Sequence, residues 1–268
     1  MCVSMCRAKL TETIGMVYLA DHPDLGEIFV VGYQNKVQNL HPGANVMILH
    51  FPSKEPMTQQ NFLDTSQAPH ILDDMAEAIR PRTRGEYLGK GLSLGGHVEV
   101  FNHDIYTVVL TDNPRLLSGV LRSGIVPEDR MAELSEEMLN WYFYNKQGKS
   151  FAFCFFNNND AKKASPFLVW YKPENLGYFE FPGLDAHTGD VPDLDEMVDV
   201  DHTIILGSYR MWGGVAVEYR DNIPDYLKPF LPERVIGKTY SGKLKNGDFR
   251  YGIRDIERDH SMNRLYRE

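Results

Sequence analysis

Two runs rich in Val, Ile, Tyr and Phe, residues 13–20 and 27–34, flank the turn-forming segment Asp21-His22-Pro23-Asp24-Leu25-Gly26. This arrangement constrains the fold more than anything else in the chain. β-Branched and aromatic residues suit a pleated, half-buried surface, and a link containing Pro and Gly lets one such run return antiparallel to the other. Residues 2–8 read as a preceding strand, so an antiparallel meander is the simplest outcome. Asn45-Val46-Met47-Ile48-Leu49-His50-Phe51 reads as a fourth strand ended by Pro52, because an apolar run this short is strand sooner than helix.

The period then changes. Ile71, Leu72, Met75, Ala76 and Ile79 recur at helical spacing, with Asp64, Thr65 and Ser66 as caps and Pro81 as a stop. Pro114 opens a short helix reaching about Ser123. Pro127 reads as the first residue of a longer one, with Glu128, Asp129, Glu133 and Glu136 toward its N-terminal half and Met131, Leu134, Met138, Leu139 and Tyr142 as the buried stripe. Residues 97–110, 150–156, 166–171, 178–181 and 200–208 read as strands. The last quarter is mixed, with a Pro-spaced stretch over 224–232 and a charged tail from Arg254. This order implies an α+β fold, a layered αββα-like sandwich of mainly antiparallel sheets with flanking helices. It forms one domain over 1–268, with a C-terminal subregion over 185–268.

A chain of 268 residues with 43% hydrophobic content buries a substantial core. A net charge of −9 without any basic run leaves no general attraction for nucleic acid or an anionic membrane. Three cysteines, no apolar stretch of ~18 residues and no basic-then-apolar leader point to a reduced, cytoplasmic protein, monomeric or a small homo-oligomer. No cofactor motif is present. Cys2 and Cys6 share a strand face, yet Cys-x3-Cys lacks the further ligands of a zinc or iron–sulfur site.

Chemistry concentrates at Cys2. Once Met1 is removed, one residue carries a thiol and a free α-amine, titrating near ~8.5 and ~8, and each activates the other. Such a residue is the nucleophile of an N-terminal-nucleophile amide hydrolase. A small apolar thiol in a strand is also an ordinary packing residue.

Met1-Cys2, the strand ending in Gly32-Tyr33-Gln34-Asn35, and Asn45 to Pro52 together resemble the opening of choloylglycine hydrolases and penicillin V acylases. The resemblance covers about the first fifty residues. It implies a four-layer αββα sandwich in which the cysteine starts the first strand and attacks an amide carbonyl. The family's Arg and Asp after the second-strand glycine are replaced by Tyr33 and Lys36. Asn35 and Asn158, the latter within Asn157-Asn158-Asn159, are the candidate oxyanion donors.

Two other patterns compete. Gly91-Leu92-Ser93-Leu94-Gly95 matches a serine-hydrolase nucleophile elbow, but a charged, turn-like segment precedes it and a strand pattern follows, against the strand–turn–helix an elbow needs. The stretch Asp185 to His202 carries Asp-x-His and Gly-Asp-x-x-Asp letters within too few residues for a two-metal centre. Asp185 and His187 on one extended face remain a candidate for a single divalent cation, set against a solvated acidic loop. Tyr33, Trp170 and Tyr171, with Trp212, are candidates to line a groove for a small amide or a peptide. Two functions therefore stand: a cysteine-nucleophile hydrolase of small amides or peptides, and a non-catalytic peptide- or protein-binding protein on a similar fold.

Overall fold

Apolar alternation over long runs leads most of the chain into paired strands. A computed structural model describes residues 2–4, 9–38, 42–79, 98–146, 149–186, 189–258 and 260–268. In chain order the first half gives β1 (Cys2–Ser4), β2 (Lys9–His22), β3 (Gly26–Gln38), β4 (Ala44–Phe51), α1 (Ile71–Ala78), β5 (Val98–His103), β6 (Tyr106–Thr111), α2 (Leu117–Arg122) and α3 (Glu136–Asn145). The second half gives β7 (Ser150–Asn157), β8 (Phe167–Tyr171), β9 (Tyr178–Phe181), β10 (Asp185–Ala186), β11 (Met197–Ser208), β12 (Val215–Ala216), β13 (Arg234–Lys245), β14 (Phe249–Gly252), α4 (Ile253–Ile256) and β15 (Tyr266–Arg267).

The strands form three sheets. The first has the order β10-β1-β4-β7-β6-β5, the second β12-β13-β11-β2-β3-β8, and a small third β15-β14-β9. Pairing is antiparallel except where β1 meets β10 and β11 meets β2. The protein is thus α+β with several antiparallel sheets. Among the described residues, no helix is long and apolar enough to cross a membrane.

The hairpin of β2 and β3 is the one the sequence suggests. Gly26 takes φ +70, a conformation that side-chain-bearing residues resist, and the His22 ring nitrogen accepts from the Asp24 and Leu25 N–H groups. The meander is not continued backward, because β1 leaves the hairpin and pairs with β4 and β10 in the first sheet. The helix expected from Pro127 starts at Glu136 instead. Ser135 caps it by accepting from the Met138 N–H at 3.1 Å, while Pro127 to Arg130 closes a turn and Met131 is exposed. The expected caps of α1 serve other ends: Asp64 accepts from the Ser66 N–H, Thr65 donates to the Pro166 carbonyl, and His70 occupies the cap position without a side-chain bond.

Three apolar clusters hold these elements together. Val17, Leu19, Phe29 and Val31 of the second sheet meet Met47, Leu49 and Leu110 of the first, and Phe179, Phe181 and Phe249 of the third join them. Ile71, Leu72 and Met75 of α1 cover Met16, Val30 and Ile205 of the second sheet. Met138, Leu139 and Tyr142 of α3, with Leu117 of α2, cover Val46, Ile48, Phe153 and Phe155 of the first. Each fully buried large side chain contributes about 1.5–3 kcal/mol of transfer free energy.

One contact sets how closely β2 and the third sheet approach: a Cβ added at Gly15 would overlap the Phe181 ring. Gly15→Ala is therefore expected to destabilise the fold by about 1–3 kcal/mol, read as a lower urea midpoint at unchanged slope. An unchanged midpoint would contradict this packing.

Candidate functional site

The residues proposed from sequence fall in separate places. Cys2 opens β1 with its backbone aligned to Asp185 of β10 on one side, while Val3 and Ser4 align with Ile48 and Met47 of β4 on the other. Asn35 lies on β3 in the other large sheet and donates to the Tyr33 hydroxyl at 2.7 Å. Asn158 is buried at the end of β7, where its N–H donates to the Gly43 carbonyl and its side-chain oxygen accepts from Asn45 at 3.1 Å. Along β4, the partner of Val3 is Ile48 and that of Asn157 is Ala44, about 13 Å of strand apart. Cys2 and Asn158 lie one step further out at either end. The nucleophile and its two candidate donors are not brought together.

The candidate substrate contacts also part company. Tyr33 is buried and stacked on Phe181, and Tyr171 is wholly enclosed, its phenol pushed far up by burial. Trp170 is half-buried on β8. Its indole donates to the Gln60 carbonyl, and it lines a cavity of about 150 Å³ with Ser53, Glu55, Thr58 and Lys172. Trp212 belongs to the opposite edge of that sheet, just before β12. Ser93 and His187 lie outside the described residues. Asp185 does not belong to a solvated loop; it is buried, its backbone exchanges hydrogen bonds with the Asn246 side chain, and its carboxylate lies 3.5 Å from Arg267 and 3.8 Å from His202.

Asp185 is one end of a buried polar seam that the sequence reading does not anticipate. At its centre is Asp248, whose carboxylate accepts from His50 Nε2 at 2.8 Å, Lys146 Nζ at 2.6 Å and the Gly183 N–H at 2.9 Å. Beside it, Glu180 of β9 takes Lys149 and, at 2.7 Å, Arg250 of β14. The chain reaches this arrangement through Gly247, whose φ of +151 suits glycine alone and whose Cβ would strike the Glu268 backbone.

Burial pushes the His50 imidazole down to about 4, helped by the two lysines and opposed by Asp248, so it is neutral and donates from Nε2. Its Nδ1 has no hydrogen-bond partner among the described residues. Burial alone would raise the Asp248 carboxyl, but His50, Lys146 and Lys149 outweigh it and hold it well below the usual carboxylate range. Lys149 is pushed down to about 8, chiefly by burial. His50, Glu180 and Asp248 present donor atoms within 4.8 Å of one another, residue types suited to a divalent cation. Lys146, Lys149 and Arg250 already neutralise those carboxylates, so the set is an ion-pair lock between elements.

No family model matches this chain, and no curated protein matches it. Among solved structures it is similar to the crystal structure of baculovirus P35, at 10% identity over 94% of this chain and 92% of that one, with a TM-score of 0.46. A mutated baculovirus P35 after caspase cleavage, at 2.7 Å resolution, gives 11% identity, 91% of each chain and a TM-score of 0.44. P35 in the caspase-8/P35 complex gives 12% identity, 96% of this chain, 90% of that one and a TM-score of 0.38. At TM-scores below 0.5, these likenesses carry no argument about what this chain does.

One signal for the seam was present in the sequence: His50 is the only titratable residue within the run from Asn45 to Phe51. His103, which packs edge-on against Phe62 and Phe167, is likewise pushed down to about 4 by burial. Both imidazoles refuse a proton in the folded state that the unfolded chain binds below about pH 6.5, so their contribution to stability is present above that pH and is lost as pH falls toward 4. Each shift corresponds to up to about 3 kcal/mol. Thermal midpoints are expected to drop across this window, and His103→Phe to flatten the drop; an unchanged slope in that variant would contradict the assignment.

Proposed function

We propose that this chain is a non-catalytic protein-binding protein that takes an extended segment of a partner along the open side of β13, with Trp212 as anchor. The fold behind it is read as an αββα-like sandwich, layered as α1, second sheet, first sheet, then α2 with α3; the three apolar clusters support that order. Cys154, a buried free thiol, suits a reducing compartment such as the cytoplasm.

The observation that carries this reading is the exposure of Trp212, 97%, beside β12, the short outermost strand on that side of the sheet. Among the described residues, β12 pairs with Val235 and Arg234 and covers only the start of that side of β13, while β11 lies along the other side. In the antiparallel register, the residues preceding Val215 lie at the end of β12 from which the rest of that side of β13 runs. The loop bearing Trp212 is fixed, because Arg234 donates to the Gly213 and Gly214 carbonyls at 3.1 and 2.7 Å. Tyr209 and Val215 are exposed on either side of it. A strand edge supplies main-chain hydrogen bonds to an added strand, and an exposed indole on a tied loop supplies the anchor.

A second reading is kept by one observation, the alignment of Cys2 with Asp185 beside His202 and Arg267. In it, the Cys2 sulfur bonds to an amide carbonyl carbon, the α-amine passes the thiol proton to the leaving nitrogen as the C–N bond breaks, and water then cleaves the thioester. It requires a chain lacking Met1.

Selection of a random peptide display library on the intact protein separates the two. The expected outcome is a consensus of extended peptides whose affinity falls about tenfold or more in Trp212→Ala and is unchanged in Cys2→Ala. Trp212→Ala should keep the native melting temperature, since the residue is 97% exposed. Selected peptides that ignore Trp212, or that are cleaved by the wild type and not by Cys2→Ala, would overturn the binding reading. An intact mass that includes Met1 removes the hydrolytic one.

A further inference from the structure

On the helix layer, far from the β13 edge in sequence, α2 and α3 form the two banks of an open groove of about 300 Å³, lined by Arg115, Ser118, Arg122, Glu136, Leu139 and Asn140. The spacing explains the lining: 115, 118 and 122 follow one face of the turn and helix beginning at Pro114, and 136, 139, 140 and 143 follow one face of α3. We propose that this groove is an acidic-residue docking site, receiving a Glu or Asp side chain from a segment of another protein.

Arg115 is held ready for such a group. Its guanidinium lies over the Phe143 ring at 4.0 Å and near Tyr144 at 4.9 Å, and its Nε donates to Asn140 at 2.8 Å. That one hydrogen bond leaves its two terminal nitrogens without an acceptor among the described residues. Arg122, exposed on the same bank, has no ion pair there either. Arg210, Arg220, Arg250, Arg264 and Arg267, by contrast, each meet one of the chain's own carboxylates. Two planar forks facing one groove match a carboxylate and its bidentate geometry. Leu139 on the floor and the aromatic rings beneath Arg115 give the aliphatic stem of such a side chain an apolar surface, which an inorganic anion would not use. Glu136 on the far bank opposes any anion and so tunes the site.

Fluorescence anisotropy of a labelled peptide of alternating Glu and Ala, against the same peptide with Gln for Glu, tests this on the intact protein. The Glu peptide is expected to bind, more weakly as salt rises, and the Gln peptide not. Arg122→Ala and Arg115→Lys are each expected to weaken binding about tenfold, the lysine because it keeps the charge and loses the fork and the stack. Glu136→Gln is expected to tighten binding, an outcome that general loss of structure cannot give. Trp212→Ala should leave it unchanged, which keeps this site distinct from the β13 edge. Equal binding of the two peptides, indifference to Arg122→Ala and Glu136→Gln together, or displacement by inorganic phosphate at concentrations matching the peptide's own affinity would each overturn the proposal.

Discussion

A single carboxylate, that of Asp248, fixes how the parts of this protein meet. It lies 198 positions from His50 and 102 from Lys146 in sequence, and it binds both, along with the backbone N–H of Gly183. Those partners belong to β4, the end of α3 and the loop before β10. A buried ion of this kind is costly to desolvate, and it is stable only while every partner is present; removing one typically costs about 3–5 kcal/mol. The cost disfavours any packing that separates these elements, because each of them supplies one of the ion's partners.

The seam continues through Glu180, Lys149 and Arg250 and, on the other side, through Asp185, Asn246 and Arg267. Arg267 lies over the Phe249 ring at 4.7 Å, so the last strand is tied in by charge and by ring contact together. On the surface, the Trp212 indole is exposed, and Arg115 and Arg122 meet no carboxylate among the described residues.

Much of the strand content was readable from local pattern. β2, β3, β4, β7 and β8 carry runs of Val, Ile and Phe whose burial on at least one face is decided by neighbours in sequence. β13 was not legible, although it is twelve residues long, because Gly237 and Gly242 interrupt it and much of it is exposed. Gly237 is required by packing that no local pattern reports: a Cβ there would overlap the end of Ile79. The start of α3 was misplaced because Pro127 and its acidic followers suit a helix N-terminus and a turn equally, and Ser135 wins by completing a cap just ahead of the apolar residues Met138, Leu139 and Tyr142. Apart from His50, the polar seam was not legible for a different reason. Its members are ordinary charged residues, and only the chain path that brings position 50 to position 248 makes them a unit. Cys2 and Asn158 illustrate the converse, since the sheet order, which residue type does not report, places them toward opposite ends of β4.

Native-state hydrogen exchange at the amides shared by β9 and β14, followed through low concentrations of denaturant, tests the seam most directly. If Asp248 and Glu180 lock the third sheet to the rest, amides near Phe179, Phe181 and Tyr251 open only with global unfolding and merge with those of β7. Exchange of the β9 and β14 amides through a smaller opening, while β7 stays protected, would contradict the account.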